Sequence, residues 1–313
     1  MLFYILRRLA ATVPVMLIVA VLVFLMLRLT PGDPAAIIAG DNANADQIAA
    51  IRNRLGLDEP IVTQFVIWLG NMLRGDFGES FFFKKTVAEL ILGRIEPTLA
   101  LSLCTIIIAV AVAVPLGVLA AYKQGTWIDR IVMGFSVMGF SVPVFVIGYA
   151  LIYLFAIKLN WVPVQGYQSI AQGFGGFLQR LILPSITLAV IYIALIARMT
   201  RASVLDVLGE DYIRTARAKG QVEIKILFRH ALKNAAVPIV TVIGLGIALL
   251  IGGVVVTESV YTIPGLGRLT VDAVLARDYP TIQAVILLFS LVYVLINLAV
   301  DLAYTLFDPR IRY

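Results

Sequence analysis

Six runs of apolar residues, 9–29, 98–121, 131–157, 181–197, 235–257 and 282–307, decide what this chain can become. Each is close to the ~20 residues a helix needs to cross a hydrocarbon core about 30 Å thick. Inside a bilayer every backbone polar group must be satisfied within the segment, which favours helices over open strands. Of the 313 residues 61% are hydrophobic and only 14% charged, where soluble domains carry about 25% charged residues. An all-α integral membrane protein with six transmembrane helices is expected.

The charged residues concentrate between the fourth and fifth runs. Residues 201–237 carry Arg201, Asp206, Glu210, Asp211, Arg214, Arg217, Lys219, Glu223, Lys225, Arg229 and Lys233. At about 2.5–3.5 kcal/mol each, burying them at a bilayer centre would cost roughly 30 kcal/mol, so the stretch lies in water. It is nevertheless patterned for folding. Val204, Leu205 and Leu208, then Ile213 and Ala216, then Ile224, Leu227, Phe228, Ala231 and Leu232 recur at helical spacing. Two or three short amphipathic helices broken near Gly209 and Gly220 are expected, forming a charged platform on a membrane domain.

The first run follows Arg7 and Arg8. A cleaved signal peptide is the alternative, but its core would be shorter and end at small residues, whereas this run ends at Arg28 before Thr30-Pro31-Gly32-Asp33-Pro34. A retained helix is expected. Residues 31–97 hold no spanning run and form a small extramembrane subdomain, with short amphipathic helices over 45–55 and 62–73 and turns at Gly75-Asp76-Phe77-Gly78. The third run contains Gly134-Phe135-Ser136-Val137 and Gly139-Phe140-Ser141-Val142 before Pro143. Small residues there serve close helix packing; a flexible segment lining a path is the other reading. Pro115 marks a kink in the second run.

Six spans put both termini on one side. Arg7, Arg8, Lys123, Arg130, the platform and Arg310 and Arg312 all fall on that side, and the long 31–97 segment is net acidic. Lys and Arg in short loops mark the inside, so the termini and platform are expected to be cytoplasmic. This placement accounts for the net charge of +6 without a nucleic-acid partner. The resulting division is 1–30 as N-terminus and first helix, 31–97 as subdomain, 98–307 as membrane core including a cytoplasmic region over 201–234, and 308–313 as tail.

The catalytic signatures HExxH, GxxxxGK[ST], GxSxG and GxGxxG do not occur. The single cysteine, Cys104, sits in an apolar run, and the single histidine, His230, sits in the platform. No catalytic residue and no metal site are expected. Ion-driven carriers place ionisable residues inside their spans, and this chain has few; Asp301 reads as interfacial. A stand-alone secondary transporter or an embedded enzyme is therefore less favoured than a body driven from outside the bilayer.

Several motifs carry a family resemblance over essentially the whole chain. They include Pro31-Gly32-Asp33-Pro34, Leu55-Gly56-Leu57-Asp58, Gly75-Asp76-Phe77-Gly78, Thr200-Arg201-Ala202-Ser203 and Glu210-Asp211-Tyr212-Ile213-Arg214-Thr215-Ala216-Arg217-Ala218-Lys219-Gly220. His230-Ala231-Leu232-Lys233-Asn234-Ala235, Pro264-Gly265-Leu266-Gly267, Arg277-Asp278-Tyr279-Pro280 and Asp308-Pro309-Arg310 complete them. The chain resembles the B-type permease of bacterial dipeptide, oligopeptide and glutathione ABC importers, a branch shared with nickel importers. The general signature of such permeases is matched here at Ala216, Gly220 and Leu232, with Arg214 replacing its glutamate. The resemblance implies a type I importer fold in the bacterial inner membrane and transport of peptides by alternating access. It implies a second, C-type permease, two ATPase subunits that bind ATP and Mg, and a periplasmic substrate-binding protein received by 31–97 and the Pro264 loop. This chain itself would hold no cofactor. Arg214, Thr215, Ala216, Arg217, Ala218, Lys219, Gly220, Gln221 and Val222 would couple to an ATPase, with a short helix around 217–222. Ser136, Ser141, Thr241, Thr257 and Glu258 are candidates for the translocation path, with Glu258 placed to attract a peptide ammonium.

Overall fold

The computed structural model describes residues 2–29, 33–39, 44–80 and 82–307. Thr30, Pro31, Gly32 and the 308–313 tail, named in the motifs above, lie outside that set. Five described helices are long and apolar enough to cross a membrane, and a sixth span results if one sharply bent pair is counted as one. The chain divides into two compact units, 1–96 with 265–295, and 97–264 with 296–313.

The first unit begins with α1 (Leu2–Leu29), α2 (Pro34–Ala39), α3 (Ala45–Leu55) and α4 (Ile61–Leu73). The start of α3 is set by a reciprocal cap: Asn44 Oδ1 accepts the Gln47 N–H at 2.8 Å, and Gln47 Oε1 accepts the Asn44 N–H at 3.0 Å. Its Ile51 packs with Leu27, Ala35 and Tyr279. Arg52 reaches Asp33 at 2.7 Å, and that carboxylate raises the guanidinium pKa. On α4, Phe65 and Trp68 meet Phe24 of α1 with ring centroids 5.2 and 5.5 Å away.

A two-residue hairpin follows, β1 (Glu79–Ser80) against antiparallel β2 (Lys85–Thr86). It leads into α5 (Val87–Tyr122), which begins eleven residues before the expected span. Glu89, Arg94 and Glu96 hide that first stretch from a hydropathy reading, yet its Val87, Leu90 and Ile91 pack on residues from beyond 265. The partners are Leu266 and Leu269 of α13 (Leu266–Leu275) and Ala284 and Val285 of α14 (Tyr279–Phe307). Asp278 fastens the hairpin to this group, accepting the Ser80 hydroxyl at 2.5 Å and the Thr281 hydroxyl at 2.6 Å. These contacts are why 265–295 joins the N-terminal residues.

In the second unit the chain passes through α6 (Trp127–Ser141), α7 (Val144–Leu151) and a π-helical turn, Ile152–Lys158. The third run expected over 131–157 is a bent pair: α6 and the following helix meet at 105°. Val142 is extended, with φ −95° and ψ 125°, as the residue before a proline prefers, and Pro143 opens α7. Next comes α8 (Phe174–Leu208), the most enclosed of the spans. The segment to α12 (Ala236–Val260) holds α9 (Asp211–Ala218), α10 (Glu223–Lys225), a π-helical turn at Ile226–Ala231 and α11 (Leu232–Asn234).

Helix α8 is the hub, because three neighbours approach it at glycines. A Cβ on Gly117 of α5 would lie 2.6 Å from Thr200 Cβ, and one on Gly139 of α6 would lie 3.0 Å from Ala194 Cβ. One on Gly253 of α12 would lie 2.7 Å from Leu188 Cδ1. Without a hydrophobic drive between helices in lipid, association depends on such close backbone approach. Leu181, Leu188, Tyr192 and Ile196 of α8 form the core with Leu101, Leu250 and Val254. Tyr261 closes it, its hydroxyl 2.6 Å from Thr187 Oγ1 and donating to Gly148 O at 3.3 Å.

Candidate functional site

The segment between α8 and α12, the projection, is folded and packs on α5, α8 and α12. Its first part is continuous with α8, so Arg201 through Leu208 extend the fourth span rather than forming a separate amphipathic helix. Gly209 ends that helix, and extended Glu210 starts α9. Ile213, fully buried, anchors α9. The expected short helix at 217–222 is displaced: α9 stops at Ala218, and 219–222 is a turn.

That turn is stereochemically defined. Gly220 has φ +74°. Its N–H donates to Arg217 O at 2.9 Å, and the Gln221 N–H donates back to Ala216 O at 3.2 Å. This pair of bonds is the Schellman closure, which requires a left-handed residue where Gly220 stands. Side chains brace it. Arg217 Nε donates to Glu223 Oε1 at 2.8 Å and Nη2 to Oε2 at 3.4 Å. His230 Nε2 lies 2.8 Å from Gln221 Oε1, and Asn234 Nδ2 donates to the Tyr212 hydroxyl at 2.6 Å. Beneath the turn, Leu227, Ala231 and Ala235 pack on Val118, Ala121, Val204 and Ile239.

What remains outside is mixed in chemistry. Val222 and Ile224 are each 69% exposed and Phe228 is half exposed. Arg214, Lys219, Lys225 and Arg229 are exposed around them. Arg217, also exposed, pairs with Glu223 at the surface. The exposed surface is thus apolar at Val222, Ile224 and Phe228 and basic around them.

The sequence-derived path residues are not assembled into one cavity. Ser136 is buried, and Ser141 and Thr241 are exposed. The hydroxyls of Ser136, Ser141, Thr241 and Thr257 donate to the carbonyls of Val132, Val137, Val237 and Gly253, each four residues back. Glu258 is fully buried and accepts the Thr98 hydroxyl at 2.6 Å, so its carboxylate does not face an open passage within this chain.

One constellation escaped sequence reading. Asp129, near the start of α6, accepts Arg201 Nε at 2.5 Å and Nη2 at 2.7 Å, together with the Gly125 N–H at 2.9 Å. The two side chains are 6% and 24% exposed. Seventy-two positions separate them, and neither periodicity nor local motif announces the pairing.

Comparison with known proteins adds the following. Residues 113–313 match the family described as binding-protein-dependent transport system inner membrane component, and residues 1–102 match the corresponding N-terminal membrane component. A probable peptide ABC transporter permease protein, y4tP, of Sinorhizobium fredii is 58% identical over 310 residues, 99% of each chain. The glutathione transport system permease protein GsiC of Escherichia coli K12 is 46% identical over 313 residues, the full length of both. Among solved structures, an inward-facing MetNI methionine ABC transporter aligns with TM-score 0.58 at 20% identity, covering 70% of this chain and 96% of the other; this shows a shared fold.

Proposed function

The chain belongs to the family of binding-protein-dependent transport system inner membrane components, and we propose that it is the permease through which an ATP-driven importer carries short peptides, glutathione among them, into the cell. The observation that carries the substrate class is similarity along the whole chain to a probable peptide permease and to a glutathione permease alike. In this reading a second permease completes the pathway, and one of two ATPase subunits grips the projection between α8 and α12. A substrate-binding protein delivers to the opposite face. Both termini and the projection are cytoplasmic, consistent with the Lys and Arg bias.

Mechanistically, the chain supplies no chemical step. Val222, Ile224 and Phe228 enter a groove on the ATPase, while Lys219 and Lys225 meet acidic residues at its rim. ATP then biases the permease between inward- and outward-open states, and only to the extent that the docked contacts differ in the two states. Ser141 and Thr241, exposed on α6 and α12, are the path candidates whose environments allow contact with substrate.

Reconstitution tests the reading. Vesicles holding both permeases and the ATPase subunits, supplied with binding protein, should take up labelled dipeptide or glutathione only when ATP is inside the ATPase compartment. Uptake by the permeases without ATPase subunits, or ATP-driven uptake of neither peptide class, overturns it.

A further inference from the structure

We infer that Asp129 and Arg201 are positioning residues that carry displacement of the α8–α12 projection into α6. The inference rests on the importer reading above. Arg201 lies seven residues before the end of α8, about 10 Å from where the projection begins at 1.5 Å per residue. Among the described residues its pairing with Asp129 is the last ion pair on α8 before the segment that an ATPase would move.

The geometry is that of a rigid joint. A single contact would let α6 pivot, whereas two parallel N–H···O bonds fix both distance and angle. The third donor, Gly125 N–H, brings the α5–α6 link into the same joint. Farther along, Gly139 of α6 meets Ala194 of α8 with backbone-limited closeness. Two fastenings, ten residues apart on α6 and seven apart on α8, prevent independent rotation of the helices. Just past the second, α6 ends at Ser141 and the chain turns through 105°. Motion received at Arg201 therefore reaches the Val142-Pro143 break, beside a path candidate. Packing alone would hold α6 in place at lower cost, because a mostly enclosed ion pair must offset the desolvation of both charges. An oriented pair here makes sense as a device that transmits direction.

The test uses the complete reconstituted complex and measures ATP hydrolysed per substrate taken up. Arg201→Lys keeps the charge and loses the fork; Asp129→Asn keeps the shape and loses the charge. Both should lower uptake about tenfold while hydrolysis stays within about twofold, a coupling loss of the size allosteric links show. Arg201→Ala should uncouple more than Arg201→Lys. Uptake and hydrolysis falling in the same proportion, or a ratio equal to wild type, overturns the inference. Because such variants can fail to assemble, spin labels on Gln124→Cys and Asp206→Cys, with Cys104→Ser, give an independent readout. Their separation should be the same without nucleotide and with ATP trapped, and a separation that changes with nucleotide overturns the joint. Absence of ATP-driven uptake by the wild-type complex would instead overturn the importer reading itself.

Discussion

Valine in place of Gly220 lowers ATP-driven uptake about tenfold or more, while the permease still folds and assembles. The reason is conformational and not steric. A Cβ at position 220 would meet nothing within 4 Å, but φ is +74°. The left-handed region costs an ordinary L-residue roughly 1–2 kcal/mol, and a β-branched residue fits it worse still. Relief comes by opening the turn, which breaks the bonds to Arg217 O and Ala216 O and moves Val222 and Lys219 out of register with the proposed ATPase groove. Asparagine, which tolerates this region, should retain most uptake, with alanine between the two. Initial rates in the reconstituted complex check the order Asn, Ala, Val; a valine variant with normal uptake contradicts it.

Leucine in place of Gly117 should have the largest effect on stability. Its Cβ alone would stand 2.6 Å from Thr200 Cβ and 2.7 Å from the Ala197 carbonyl oxygen. The carbonyl belongs to the hub helix and cannot rotate away, so α5 and α8 must separate. Overpacking costs about 1–3 kcal/mol and occasionally more, and backbone crowding at a helix crossing belongs to the upper end. A fall of about 5–10 °C in the melting temperature in detergent is expected, with loss of monodisperse protein. Gly93→Leu on the same helix is the control, since a Cβ there meets nothing within 4 Å. Equal melting temperatures for wild type and Gly117→Leu would contradict the hub assignment.

Much of this architecture was legible in the residues themselves. Apolar run length marked the spans, and the Asn44–Gln47 cap and Gly56 delimited α3 at the expected residues. The break at Pro143 was not read because apolar composition continues across it. The early start of α5 and the existence of α13 were hidden by charged residues on short amphipathic turns. The grouping of 265–295 with the N-terminal unit rests on contacts such as Ser80 to Asp278, 198 positions apart, which no local pattern encodes.

The projection was legible in outline, since eleven charges between two spans leave it nowhere but water. The break expected near Gly220 is present, at φ +74°, whereas the pairing of Arg217 with Glu223 depended on a tertiary contact. Hydroxyls inside apolar runs were a poor guide to a path, because a helical Ser or Thr satisfies itself on the preceding turn, as four of the five candidates do.

Chemical access to Val222 is the most direct measurement of the central claim. With Cys104→Ser and Val222→Cys, a membrane-impermeant maleimide should label position 222 in inside-out vesicles that hold the permeases without ATPase subunits and not in intact cells, and the assembled complex should protect it. A short cross-linker should join it to the ATPase subunit. Labelling from the outer face, or cross-linking to lipid with none to the ATPase, would contradict a permease driven through this projection.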